Sequence, residues 1–428
     1  MLSIIVALAL AAGDTVTRSN APLDDIAQAY VRLVLALGVH DPDYVDAYYG
    51  PPEWRSAAEA EKRPLPEIRA DAERLLARLE RLRPPTGKKG SEAELVALRH
   101  TYLTHQLEAL STRAEILSGK KLSFDEESRA LYNAVAPKLP EGHFQEVLAR
   151  LEGELPGSGT LLERYTAYRK AFIVPPDKVE AVFDAAIAEC RRRTLRHVEL
   201  PPGESFSVEY VKGKSWGAYN WYKGGFHSVI QVNLDLPIMI DRAVDLACHE
   251  GYPGHHVYNA LLEKNLVRDR GWVEYSVYAL FSPQSLIAEG TANYGIEVAF
   301  PGEERTEFER STLYGLAGLD PGQAAKFARI RRDAEALEYV PNEAARRYLE
   351  GRLDAAAAAA FLETYGLMSE DQARQRVKFI DQYRTYVINY NLGQDLVRAY
   401  VERRSSASDR WPAFKELLAS PRLPEGLR

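Results

Sequence analysis

Cys248-His249-Glu250-Gly251-Tyr252-Pro253-Gly254-His255-His256 is the stretch on which the reading of this chain turns. Three of the nine histidines fall within eight residues, and Glu250 directly follows the first. A metal-binding helix commonly presents two imidazoles at i and i+4, with a Glu between them beside the bound water. Here the i+4 position is Pro253. An undistorted helix would put His249 and His256 on one face but about 10 Å apart along the axis. Metal–nitrogen bonds of about 2 Å cannot close that gap. Pro253 lacks a backbone donor and Gly254 tolerates unusual dihedrals, so together they can bulge the helix and bring His255 where an i+4 ligand would stand. His249 and His255 are therefore the expected ligands. His256 is the alternative second ligand; otherwise it orients the site or supports a ligand from behind.

A catalytic metal needs a third ligand and an open position for water. Glu289, within Leu286-Ile287-Ala288-Glu289-Gly290-Thr291-Ala292-Asn293-Tyr294, sits in an apolar helical stretch. A buried carboxylate is costly unless paired or metal-bound, so ligation accounts for its setting. Glu297, eight residues on, faces a similar direction and reads as solvent-facing or supporting. Two imidazoles and a carboxylate suit Zn2+, and they also suit iron. With zinc, the pattern predicts hydrolysis by a metal-activated water with Glu250 as general base.

Around this centre the chain reads as mainly α. Between Pro22 and about Glu199 apolar residues recur at helical spacing: Ile26, Tyr30, Leu33 and Leu37; then Leu75, Leu79 and Leu82; then Leu95, Leu98 and Tyr102 with Leu103, Leu107 and Leu110 beyond. Breaks containing Gly or Pro at 49–52, 83–90, 136–142 and 156–159 separate these helices. From Phe206 to Asp235 the composition turns to Val, Tyr, Trp and Phe, which predicts a small antiparallel β region beside the active-site helix. Pro237 fits the first turn of a helix running through Asp245 to the histidines. Further helices are expected over Pro283–Val298, Pro321–Leu337, Asn342–Leu349, Ala355–Tyr365 and Ser369–Tyr386.

The predicted organisation is a signal-like segment over 1–12, an N-terminal helical region over 13–199 and a catalytic region over 200–428, the last two packed as one unit. MLSIIVALALAA is too short to span a bilayer, so no stable membrane insertion is expected. Ala9 and Ala11 lie as an export cleavage site would require, although a basic leader is missing; this favours a secreted or periplasmic location over a cytoplasmic one. A formal charge of −7 gives no reason to expect a nucleic-acid partner. Two cysteines, Cys190 and Cys248, cannot build a disulfide framework or a zinc finger. Cys248 reads as a buried, inert thiol.

At these residues the chain resembles a bacterial family, domain of unknown function 885, whose signature is HExxPGHH followed by EGWAxY. His249, Glu250, Pro253, Gly254, His255 and His256 match the first part; Glu289, Gly290, Ala292 and Tyr294 match the second, with Thr291 in place of tryptophan. That family is similar in outline to the gluzincin metallopeptidases, whose third ligand is a downstream Glu. The resemblance implies a zincin-like helical fold and a peptide substrate. Aligning the Gly-His of helical oligopeptidases with Gly254-His255 also favours His255. Similar enzymes place a Tyr or His from a downstream element on the developing oxyanion, which points to Tyr390, with Tyr386 one turn earlier as the alternative. The segment Val229–Asn233 is expected to align substrate through its backbone, and Trp216, Tyr219, Trp221, Tyr222 and His227 to line the cleft or pack the sheet. A non-peptidase zinc amidohydrolase would look nearly identical. A non-enzymatic helical binding protein would not bring Glu289 to the histidines. Cleavage mode and oligomeric state stay open at this level.

Overall fold

The structure, a computed structural model, describes residues 5–427 except 89, 215, 236, 407 and 408, with side chains from residue 21 onward. The signal-like segment 1–12 thus lies outside the described residues at 1–4 and outside the described side chains beyond that. The fold is mainly helical with two small sheets. No helix among the described residues is long and apolar enough to cross a membrane.

The first helix, Ile5–Gly38, buries Ile26, Tyr30, Leu33 and Leu37 on the predicted stripe. It packs against the helices Leu65–Arg81 and Glu92–Leu117. The third predicted stripe is out of phase at its start. Leu95 and Leu98 are half-buried, whereas Val96 and Arg99 point inward. Arg99 is tolerated there because its charge is fully met: Nε and Nη2 donate to Glu274 at 2.5 and 3.0 Å, and Nη1 donates to Asp24 at 2.6 Å.

Strand β1 (Val45–Tyr48) interrupts the N-terminal helices just before the break at 49–52, in a region where the sequence predicts no strand. Its partner is β5 (Val277–Ala279), antiparallel and more than two hundred residues away, which no local pattern reveals. The larger sheet holds β2 (Ser205–Val211), β3 (Ala218–Gly224) and β4 (His227–Asn233) in the order β2-β4-β3. The expectation of an antiparallel region holds for β3 and β4, a hairpin turned by Gly225 and Phe226, both at positive φ. It fails for β2, which runs parallel to β4. The reason is burial: β4 carries Ser228, Ile230 and Val232 into the core and takes the central, two-sided position. Pro237 also falls outside its predicted helix. Residues 238–239 are extended and pair with 173–174, so the helix begins at Ile240.

Farther on, helices span Pro283–Ala299, Ala324–Glu335, Val340–Leu349 and Ala355–Gly366. The predicted Ser369–Tyr386 helix is divided. A capping box at Ser369 and Gln372 opens Glu370–Tyr383; Arg384 then takes φ 52°, a 3-10 turn covers Arg384–Val387, and a new helix runs over Ile388–Arg404. That last helix lies directly on Pro283–Ala299. A Cβ at Gly290 would stand 2.4 Å from the Gly393 carbonyl, so glycine is required where the two backbones touch. One buried cluster takes in Ile26 and Leu107 from the N-terminal helices together with Ile287, Tyr386 and Val401. A smaller one gathers Phe144, Val147, Ile330 and Leu362.

Candidate metal centre

The helix Ile240–Leu246 runs into a π-helical turn, Ala247–Gly251, and stops at Tyr252; a second helix, His255–Leu262, starts three residues later. The expected bulge is therefore a full break. Gly254 makes it feasible: its N–H donates to the Cys248 carbonyl at 2.9 Å, and a Cβ there would sit 1.9 Å from the His249 carbonyl oxygen. The break turns the two histidines toward each other. Their Nε2 atoms are 3.1 Å apart, with the rings edge to face.

Glu289 meets them from the Pro283–Ala299 helix. Its Oε2 lies 3.3 Å from His249 Nε2 and 3.7 Å from His255 Nε2. These three residues are a metal-capable group among the described residues. Two features test the fit. A tetrahedron with bonds of about 2.0–2.1 Å has edges of about 3.3–3.4 Å, which the three separations bracket. Glu289 Oε1 accepts the Tyr386 hydroxyl at 2.8 Å, whereas the buried Oε2 has no hydrogen-bond partner. A buried carboxylate oxygen without a donor is expensive, and a cation beside it removes the penalty. The donor set fits zinc.

Asn293, one turn beyond Glu289, was not singled out in the sequence. His249 Nδ1 donates to its Oδ1 at 2.8 Å, and its Nδ2 donates to the Tyr390 carbonyl at 2.9 Å. The second bond fixes the amide orientation, and so the first fixes the histidine tautomer, leaving the Nε2 lone pair free for a metal. The signal that could have found it is the i, i+4 spacing of Glu289 and Asn293 on one helix face.

The other predicted residues divide. Glu250 is buried in the wall of the cleft that holds the three ligand atoms, and its carbonyl accepts Asn220 Nδ2 of β3 at 2.7 Å. Tyr390 lines the same cleft, while Tyr386 is committed to Glu289. His256 points away: its Nε2 donates to Glu204 at 2.9 Å and its Nδ1 accepts from Ser228 at 2.9 Å, tying the broken helix to the sheet. Glu297 is half-exposed and pairs with Arg398 and Gln394. Trp216 and Tyr219 reach the cleft; Trp221 instead donates to Gln231, Tyr222 to Glu263, and His227 bonds Ser205. The backbone of β4 is flanked on both sides, so the expected substrate-aligning segment is wrong. Of the two edge strands, β2 and β3, it is β3 that lines the cleft.

The cleft is about 1470 Å³ and carries a negative field around the histidines. Burial pushes Asp46 of β1 up to about 6, with Glu289 and Glu250 adding to the rise and Tyr219 and His255 opposing it. Burial alone would raise the Glu289 carboxyl, but the adjacent His249 and His255 imidazoles hold it far below the usual carboxylate range. Burial lowers the His255 imidazole, yet Glu289, Glu250 and Asp46 outweigh it and lift it to about 9. The surroundings favour a positive charge. Nearby, Cys190 and Cys248 are both buried, and burial raises the Cys190 thiol well above its ordinary value.

No family model matches the chain, and no curated protein matches its sequence. Among solved structures, a candidate lipoprotein from Colwellia psychrerythraea superposes with a TM-score of 0.53 at 14% identity, over 88% of this chain and 71% of that one. This chain shares that fold. A candidate lipoprotein of unknown function from Shewanella oneidensis gives a TM-score of 0.47 at 13% identity, over 89% of this chain and 78% of that one.

Proposed function

We propose that this protein is a zinc-dependent peptide hydrolase of zincin-like type, allied to the domain of unknown function 885 family through its HExxPGHH segment. The observation that carries the reading is the meeting of His249, His255 and Glu289, with ligand atoms 3.1–3.7 Å apart, in the same cleft as Glu250. A helical binding protein has no need of that convergence.

Zinc held by these three residues would supply Lewis acidity to the scissile carbonyl and acidify an attacking water. Glu250 takes the proton as the carbon–oxygen bond forms and passes it to the amide nitrogen as the carbon–nitrogen bond breaks. The Tyr390 hydroxyl donates to the carbonyl oxygen as that atom gains charge. Tyr386 acts through Glu289 and is a positioning residue. The edge of β3 receives an extended peptide by backbone hydrogen bonding. Residues 1–12 and the lipoprotein description of the structural neighbours support a location outside the cytoplasm.

The test is to incubate zinc-loaded protein with a mixed peptide library and map the cleavage sites. Glu250→Gln should keep its zinc and lose turnover by about 10²–10⁴-fold. Equal cleavage by both proteins rejects the general-base assignment. Unchanged zinc content after replacing both His249 and Glu289 with Ala rejects the coordination.

A further inference from the structure

Arg376, on the Glu370–Tyr383 helix, lines the cleft. Every other arginine in the cleft wall has a carboxylate oxygen within 4.0 Å. Among the described residues Arg376 has none; its guanidinium carbon lies 5.3 Å from the ring centre of Phe379, one turn along its own helix. Burial holds Arg376 below the ordinary arginine value, Tyr390 works against that, and the like charge of Arg242 adds to it. A half-buried guanidinium, unmatched by an anion and facing the like charge of a second guanidinium, is unfavourable in the free protein. Such an arrangement is characteristic of a place where a ligand supplies the missing charge.

The position is connected to the metal centre. The Phe379 ring lies 6.3 Å from Tyr390, Tyr390 lies 5.8 Å from Tyr386, and Tyr386 holds Glu289. Arg376, Phe379 and Tyr383 all line the cleft and share one helix face. The planar fork of arginine matches a carboxylate in two parallel hydrogen bonds. We infer that Arg376 receives a carboxylate of the peptide substrate, either its free C-terminus or an acidic side chain, and so selects which peptides enter the cleft. The inference rests on the hydrolase reading for the ligand being a peptide.

Equilibrium binding to the zinc-free wild-type protein tests it without turnover. Three probes are compared by calorimetry: N-acetyl-tetraalanyl-glutamine as the free acid, the same peptide as its amide, and that amide with glutamate replacing glutamine. At least one carboxylate-bearing probe should bind tenfold or more tightly than the neutral amide, and the preferred one names the source. Arg376→Gln should abolish the preference; Arg376→Lys, the gentler change, should retain part of it. Equal binding of all three, no binding of any, or a preference that survives Arg376→Gln overturns the assignment. A preference that depends on Arg376 in a protein that cleaves no peptide when zinc-loaded would instead overturn the hydrolase reading alone.

Discussion

His249 Nδ1 donates to Asn293 Oδ1 at 2.8 Å, and this one bond decides which nitrogen of the histidine faces Glu289. Asn293 contributes no metal-ligating atom, yet it sets tautomer and ring orientation together. Asn293→Ala should therefore weaken zinc binding by about 10–100-fold with the fold intact. Competition titration against a chromogenic chelator reads the change; an unaltered affinity would show that the histidine is oriented by other means.

Two neighbouring tyrosines should respond differently. Tyr386 donates to Glu289, so Tyr386→Phe removes a charge-assisted hydrogen bond of about 1.5–3 kcal/mol and should reduce both metal affinity and melting temperature. Tyr390→Phe should leave metal affinity unchanged and lower kcat. If the two variants show the same pattern, the division of roles between them is wrong.

Gly254 has no room for a side chain, because a Cβ would stand 1.9 Å from the His249 carbonyl. Gly254→Ala forces the two helices apart at the turn that brings the histidines together. A loss of about 3 kcal/mol or more is expected, with zinc binding lost before global unfolding. Thermal melts with and without zinc check this: a zinc-induced rise in melting temperature as large as that of wild type would contradict it.

His105 supplies a pH-dependent clamp on the C-terminal segment. Its Nδ1 is 2.7 Å from Glu108 and its Nε2 3.0 Å from Glu425. The hydrogen bond that His105 donates to Glu108 raises the imidazole above its ordinary value, burial opposes this, and Glu425 adds to the rise. Since the folded value exceeds the unfolded one of about 6.5, the stabilisation is fully present below that pH and fades as pH climbs through the folded value. His105→Gln should lower stability at pH 5.5 by about 0.2–1 kcal/mol and have little effect at pH 9. Denaturant midpoints at the two pH values measure it; a larger loss at pH 9 would reverse the sign.

What the sequence disclosed and what it hid follow from distance along the chain. The histidine segment was legible because proline and glycine act locally on a helix, and Glu289 because a carboxylate in an apolar stretch stands out. The helical stripes Ile26-Tyr30-Leu33-Leu37 and Leu75-Leu79 follow apolar periodicity and are buried as it requires. Arg99 defeated that periodicity by pairing with Glu274, far along the chain. Strand β1, which carries Asp46 to the cleft, has four residues and a remote partner, so no window could find it. The division of labour between Tyr386 and Tyr390 depends on a turn at Arg384, whose positive φ propensities do not signal.

Ser228, His256 and Glu204 are joined in series at 2.9 Å per link, the order of groups found in a serine hydrolase relay. Here Ser228 and His256 are fully enclosed, and Glu204 is also engaged by Tyr252 and Arg191. No electrophile arriving from solvent reaches that hydroxyl. The inhibitor fingerprint should accordingly be lopsided: chelators silence the protein, while fluorophosphonate probes pass it by unlabelled.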